Sequence, residues 1–296
     1  FGNEMGIGLG DIDNDSDFDF LVTNTGSDGI STDVFYRNDT DLSVGGTGVG
    51  YSDVSATTGA DLVPGVGWGA VFADLDNDAD LDMVRARGLR FAAANSVLEN
   101  LYPTLAPDGV TPAFADVSAQ VPQFARLLPV EQDIMRGLAA VDYDNDGDLD
   151  LVASRTGVDP DVEVTPKIAA GVFLNTLNNG NNWTGIDLRE TGGSLNVVGT
   201  RVWVQAGGET QVREVIVGDS FLTQNPYKLH FGLGRATPDW VAIRWLDGDH
   251  TVLAACALRH AGTPPAKRAF RKALDWLVPE GSGGRARFRD YVYTAG

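Results

Sequence analysis

Hydrophobic positions in this chain come in short runs, broken every few residues by glycines or clusters of polar side chains. In the first 178 residues the apolar runs include Phe20-Leu21-Val22, Met83-Val84, Val97-Leu98, Leu151-Val152 and Val172-Phe173-Leu174. Beyond residue 180 the alternation is clearer, in Trp183–Leu188, Thr200–Val204, Val212–Val215, Lys228–Phe231 and Trp240–Trp245. Runs of this length with a period of two, bounded by turn residues, predict strands and not helices. Gly207-Gly208 reads as a hairpin turn between two of them. The expected class is all-β.

The pattern also repeats. Asp11-Ile12-Asp13-Asn14-Asp15-Ser16-Asp17-Phe18-Asp19 returns as Asp74-Leu75-Asp76-Asn77-Asp78-Ala79-Asp80-Leu81-Asp82 and again as Asp142-Tyr143-Asp144-Asn145-Asp146-Gly147-Asp148-Leu149-Asp150. Small residues precede each copy (Gly6 to Gly10, Gly67 to Ala70, Gly137 to Ala140), and an apolar strand follows. About twenty residues later each has a strand ending in asparagine: Asn38, Asn100 and Asn175. After the first two come near-identical phrases, Tyr51-Ser52-Asp53-Val54-Ser55 and Phe114-Ala115-Asp116-Val117-Ser118. A unit of this size built from several short strands predicts a propeller blade.

Five aspartates at alternate positions repel one another, each neighbouring pair by about 1 to 3 kcal/mol depending on the effective dielectric. A hard divalent cation with oxygen ligands offsets this, and alternating side chains in a tight loop can converge on one ion. The flanks exclude an EF-hand: there is no glutamate at position twelve, and the loop is bounded by strand patterns. Position six calls for a sharp turn that glycine makes readily. Gly147 supplies it; Ser16 and Ala79 should strain the turn by roughly 1 kcal/mol.

The order of small-residue pair, D-x-D-N-D-x-D-x-D loop, apolar strand, strand ending in Asn and aromatic-x-D-V-S resembles the FG-GAP/VCBS repeats of integrin-like β-propellers. The resemblance covers residues 1 to about 178. It implies that Ca2+ is bound by side chains at positions one, three, five and nine and by the carbonyl at seven. Carried over, these are Asp11, Asp13, Asp15 and Asp19 with the Asp17 carbonyl, and Asp74, Asp76, Asp78 and Asp82 with that of Asp80. In the third loop they are Asp142, Asp144, Asp146 and Asp150 with the Asp148 carbonyl. Three blades do not close a ring, so the chain is expected to be the C-terminal part of a longer propeller.

After Asn175 the character changes, and the polar run Asn178 to Asn182 marks a boundary. The phrases Asn182-Trp183, Gly199-Thr200-Arg201-Val202, Gln211 to Val215, Ser220 to Asn225 and Leu229 to Gly234 resemble the ASPIC/UnbV domain, which commonly follows such repeats, as in the cartilage acidic protein family. The expected layout is therefore repeats over 1–178, a small antiparallel β domain over 179–256, and a basic tail over 257–296. Within the second domain Arg213, Glu214, Ser220, Gln224, Asn225 and His230 form a polar set. His230 alternates with Leu229 and Phe231, and the set is read as solvated or turn-stabilising side chains. Gly218-Asp219-Ser220-Phe221-Leu222 is not a nucleophile elbow, and no catalytic constellation stands out.

Charge separates the tail from the rest. The whole chain carries −19, yet from Arg259 onward eight Lys/Arg face three Asp/Glu. Phe270, Ala273, Leu274 and Leu277 would share one face of a short helix there. So acidic a body argues against nucleic acid as a partner. One cysteine, Cys256, permits no internal disulfide, and His230, His250 and His260 show no zinc spacing. No apolar run is long enough to span a bilayer. The expectation is a secreted, extracellular or periplasmic protein with structural calcium that recognises an extracellular protein or polysaccharide. The alternative is an extracellular enzyme acting on carbohydrate polymers, with calcium as scaffold or cofactor.

Overall fold

The computed structural model describes residues 4–24, 32–40, 48, 50–59, 66–88, 94–125, 134–156, 170–188, 197–245 and 251–255. The expected tail helix, with Cys256, His250 and His260, lies outside them. As the alternation predicts, the regular structure of the described residues is nearly all β, and α1 (Pro122–Ala125) is a single turn.

The repeats form three antiparallel meanders. The first runs β1 (Glu4–Gly10), β2 (Asp19–Asn24), β3 (Val34–Asn38), β4 (Tyr51–Asp53), each strand pairing with the next. The second runs β5 (Gly67–Ala73), β6 (Asp82–Arg87), β7 (Ser96–Leu105), β8 (Pro112–Asp116). The third contains β9 (Ile134–Val141), β10 (Asp150–Thr156) and β11 (Ala170–Phe173) in the order β11-β10-β9. Each Asp-rich loop joins the first two strands of its sheet. Among the described residues no sheet closes on itself.

The sheets stand face to face, and the pleat sorts their side chains. Adjacent residues on a strand point to opposite faces, so Met83 and Leu98 join Leu21 and Phe35 in the layer between sheets one and two. Their neighbours Val84 and Val97 join Met135, Leu151 and Ala153 between sheets two and three. With both faces covered, β6 is buried throughout, each large apolar side chain contributing about 1.5–3 kcal/mol. Arg85 within it is kept by a buried pair with Asp33 (3.4 Å) and by a bond from its Nε to Ser96 Oγ (2.9 Å).

The first strands lie side by side because their small residues allow it. A Cβ added at Gly6 would stand 2.3 Å from the Trp68 carbonyl oxygen, and one at Gly69 would stand 2.6 Å from that of Arg136. Backbones from all three sheets thus approach at these positions.

The C-terminal domain is two sheets around one core. β12 (Asn182–Ile186) pairs with β15 (Leu229–Gly234). The other sheet has the order β14 (Glu209–Glu214), β13 (Arg201–Ala206), β16 (Pro238–Arg244), β17 (Thr251–Ala255). Ile186, Val202, Val204, Phe231, Leu233 and Ile243 lie in the layer between them. Gly207 and Gly208 both take positive φ, +63° and +99°, as a two-residue hairpin requires. β17 extends the sheet beyond the last predicted strand.

One segment of this domain reaches back among the repeats. Ser220 and Ile7 exchange backbone hydrogen bonds (2.8 and 3.4 Å). The Phe221 ring lies 5.2 Å from that of Trp68. Asn225 Oδ1 accepts from Ala140 N at 3.0 Å, while its Nδ2 donates to Asp219 Oδ2 at 2.5 Å. Residues 220–225 therefore touch the first strand of each of the three repeat sheets. Gly137 belongs to the same contact, because a Cβ there would meet Thr223 Oγ1 at 2.6 Å.

Candidate metal centre

All three loops take one shape. Position four is left-handed in each (Asn14 +54°, Asn77 +61°, Asn145 +63°), and so is position six (Ser16 +75°, Ala79 +89°, Gly147 +98°). Asparagine tolerates that conformation better than most residues, which accounts for its presence in every copy. The first aspartate caps the turn from inside: Asp15 N and Ser16 N donate to Asp11 (3.0 and 3.1 Å), and Asp78 N and Ala79 N donate to Asp74 (both 3.0 Å). In the third loop Gly147 N donates to Asp142 at 3.4 Å.

This turn gathers positions one, three and five. Asp11, Asp13 and Asp15 bring one carboxylate oxygen each to within 4.8 Å of one another, as do Asp74, Asp76 and Asp78, and Asp142, Asp144 and Asp146. Positions seven and nine are not in these clusters. The position-nine carboxylate instead braces the sheet, in the same way three times. Asp19 accepts from Ile12 N (3.0 Å) and Asn38 N (2.7 Å), and Asp82 from Leu75 N (3.0 Å) and Asn100 N (2.9 Å). Asp150 accepts from Tyr143 N (2.8 Å) and Asn175 N (2.7 Å). Of the position-seven side chains, Asp148 accepts from Asn77 Nδ2 (2.9 Å).

In the first two loops burial makes several carboxylates costly to ionise. It raises Asp11 to about 7 and Asp74 to about 8, opposed by the charge of Arg213, and raises Asp19 to about 8. Asp80 is pushed to about 10 by burial and then by Asp78, and Asp82 also lies well above the usual range, again chiefly through burial. Asp13 Oδ1 and Asp80 Oδ1 are buried without a hydrogen-bond partner. Clustered oxygens, orphaned acceptors and mutual repulsion together fit a hard cation.

Side-chain amides stitch each loop to the next. Asn14 Nδ2 donates to the Ala79 carbonyl (3.2 Å), and Asn77 Nδ2 to the Gly147 carbonyl (3.1 Å). The strand-ending asparagines reach in the other direction, Asn100 Nδ2 to the Ile12 carbonyl (3.0 Å) and Asn175 Nδ2 to that of Leu75 (2.6 Å).

The C-terminal domain covers this row. A Cβ on Gly232 would lie 2.1 Å from Asp74 Oδ2, and Gly234 N donates to the Asn77 carbonyl at 2.8 Å. His230 Nε2 meets Asn77 Oδ1 at 2.7 Å, and its ring stacks on Trp183 at 5.7 Å. Trp183 lies over the third loop, where a Cβ on Gly147 would stand 1.8 Å from the indole nitrogen. Two cations face the acids. Lys228 Nζ is 3.4 Å from Asp142 Oδ2. Arg213 is held by Gln211 Oε1 (3.0 Å) and the Val212 carbonyl (2.9 Å), with its charge directed at Asp74, Asp11 and Asp80. Asp74, Asp142, Arg213, Lys228 and His230 line a cavity of about 150 Å³ at this junction.

The polar set read from the sequence therefore divides. Gln224 does stabilise a turn, accepting from Gly218 N (2.9 Å) and donating to the Ile216 carbonyl (2.8 Å). Glu214 pairs with Arg201. Arg213 and His230, both half-buried, face the Asp-rich loops. Burial, followed by the charges of Arg213 and Lys228, pushes His230 down to about 3, so the ring is neutral near pH 7. Sequence reasoning missed this contact; the signals available were Gly232, packed against a loop about 155 residues away, and an asparagine at position four of every loop.

The ASPIC and UnbV family profile matches residues 190–263, which identifies an ASPIC/UnbV domain in the C-terminal part of the chain. No curated protein matches the chain. Among the described residues no helix is long and apolar enough to cross a membrane.

Proposed function

We propose that this chain is a secreted calcium-binding repeat protein of FG-GAP/VCBS type, with calcium structural and the molecule serving adhesion or recognition of an extracellular protein or polysaccharide. The observation that carries this reading is the threefold cluster of carboxylate oxygens at positions one, three and five, each held by the same left-handed turn. Three first-turn acids per loop, with position nine as a brace, suit a site that fixes the loop's shape. The two cations of the ASPIC/UnbV domain offset part of the loop charge, Lys228 beside Asp142 Oδ2 at 3.4 Å and Arg213 toward Asp74 and Asp11. Millimolar external calcium matches a site with exposed carboxylates such as Asp144 and Asp146 better than cytosolic levels do.

The test is thermal unfolding in millimolar calcium and in chelator, for the parent chain and for Asp146→Ala. Ligand binding to the folded state raises the melting temperature by linkage, so calcium should raise that of the parent and raise it less in the variant. An unchanged melting temperature on chelation sinks the metal reading. Calorimetric titration then gives the number of sites, with three expected.

A further inference from the structure

The three loops share one backbone shape, but the first aspartate of loop three is held differently. In loops one and two both carboxylate oxygens of that residue accept from backbone amides. Asp15 N and Ser16 N donate to Asp11 Oδ1 and Oδ2, and Asp78 N and Ala79 N donate to Asp74 Oδ1 and Oδ2. In loop three the amide at position five turns elsewhere, Asp146 N donating to Asp144 Oδ1 at 3.3 Å. Gly147 N reaches Asp142 Oδ1 at 3.4 Å, and Asp142 Oδ2 faces Lys228 Nζ at the same distance. A lysine of the ASPIC/UnbV domain thus stands where the other two loops use their own backbone.

The path of that lysine is built into the sheet. Lys228 immediately precedes β15, and its side chain crosses β12 over Gly185, where a Cβ would stand 2.5 Å from Lys228 Cε. Its Nζ lies 5.6 Å from the centroid of the Trp183 ring, which itself covers Gly147. The partners differ in their access to water: the Lys228 side chain is 25% exposed and that of Asp142 is 4% exposed. Arg213, the other cation facing the loops, is fixed by Gln211 Oε1 and the Val212 carbonyl and lies over the Phe231 ring. Lysine carries a compact charge on a flexible stem, so Lys228 can turn to solvent while the strand behind it stays in place.

Asp142 is also one of the three carboxylates gathered in the loop-three cluster. An ammonium group and a divalent cation both draw on its charge, and they repel each other. We propose that Lys228 is a tethered competitor for the loop-three ion: it neutralises Asp142 in the absence of metal and yields it when a divalent cation binds. Given the calcium reading on which this rests, loop three binds its ion against an internal rival, although it has the glycine at position six. Linkage makes the effect reciprocal. The Lys228 charge lowers the affinity for the ion, and the ion loosens the hold of the ASPIC/UnbV domain on that loop.

The probe is calcium alone, titrated calorimetrically into the whole chain and into Lys228→Met and Lys228→Arg. Lys228→Met should tighten one site roughly three- to tenfold, the coupling that a partly exposed lysine charge supplies. Lys228→Arg, which keeps the charge, should bind as the parent does. In chelator Lys228→Met should melt below the parent, and millimolar calcium should close that gap. Tryptophan emission gives a readout that needs no change at Lys228. Calcium should shift it in the parent as the ammonium leaves the Trp183 ring, and the shift should vanish in Trp183→Phe and in Asp146→Ala. Calcium binding that is unchanged or weaker in Lys228→Met, or that leaves Trp183 emission unmoved, overturns the competitor and leaves the calcium reading standing. Calcium binding to neither the parent nor Lys228→Met ends both together.

Discussion

Asp82→Ala separates two roles for the ninth loop position. The family resemblance makes it a metal ligand, whereas its two oxygens are already engaged by Leu75 N (3.0 Å) and Asn100 N (2.9 Å). Removing the carboxylate leaves two buried amides without an acceptor, each costing about 1–3 kcal/mol. Part of this is returned, because a carboxyl that burial makes costly to ionise is also removed. A net cost of about 2–4 kcal/mol remains. Asp82→Asn, which keeps one carbonyl oxygen, should cost about half as much. Amide hydrogen exchange reads the two groups directly: at tenfold per 1.4 kcal/mol, protection at Leu75 and Asn100 should fall roughly 30- to 1,000-fold. The loss should be present in chelator as well as in calcium. If protection in chelator is unchanged and the defect shows only when calcium is supplied, position nine acts first as a ligand and the brace is secondary.

Three further outcomes follow from the junction and the loops. Gly147→Ala places a Cβ 1.8 Å from Trp183 Nε1 at a φ of +98°; overpacking costs about 1–3 kcal/mol, and tryptophan emission should shift red as the indole is displaced. Arg213→Gln leaves Asp11 and Asp74 without their nearest counter-charge, so the melting temperature should fall more in chelator than in calcium. The third concerns pH. Asp11, Asp19 and Asp74 are raised from 3.8 to about 7, 8 and 8, so the folded state binds their protons more tightly than the unfolded chain. Without metal, stability is lost as pH rises through 7 to 8 and regained on acidification, by at most about 1.4 kcal/mol per pH unit for each proton bound. His230, lowered from 6.5 to about 3, opposes this below about pH 6.5. Saturating calcium should flatten or reverse the slope above pH 6.5, and identical slopes with and without calcium would count against metal in the loops.

The repeats were legible because their chemistry recurs in register. Aspartates at alternate positions, small residues before them and Asn38, Asn100 and Asn175 after them each mark a place where the same backbone problem is solved three times. The strands could be read for the same reason, and Gly207-Gly208 fixed a hairpin. The covering of the loops was not legible. Arg213, Lys228, His230 and Trp183 lie on strands and turns whose local pattern is that of any half-buried sheet, and their partners are 36 to more than 200 residues away. Periodicity records which face of a strand is polar; it does not record whether water or another domain meets that face. The glycines at 69, 137 and 232 were conspicuous, but the intrusion of Ser220, Thr223 and the Asp-rich loops that demands them became visible only in three dimensions.

The asparagine row has a consequence for how the loops answer a ligand. Asn14 holds the carbonyl at position six of loop two, and Asn77 holds both that carbonyl and Asp148 in loop three. On the proposed calcium reading, a loop that tightens around an ion would move the amide gripping its neighbour, and by linkage the coupling would act in both directions. Ions should then fill the row with a sharper threshold than independent sites would give, and an interruption at Asn77 should split one concerted response into two.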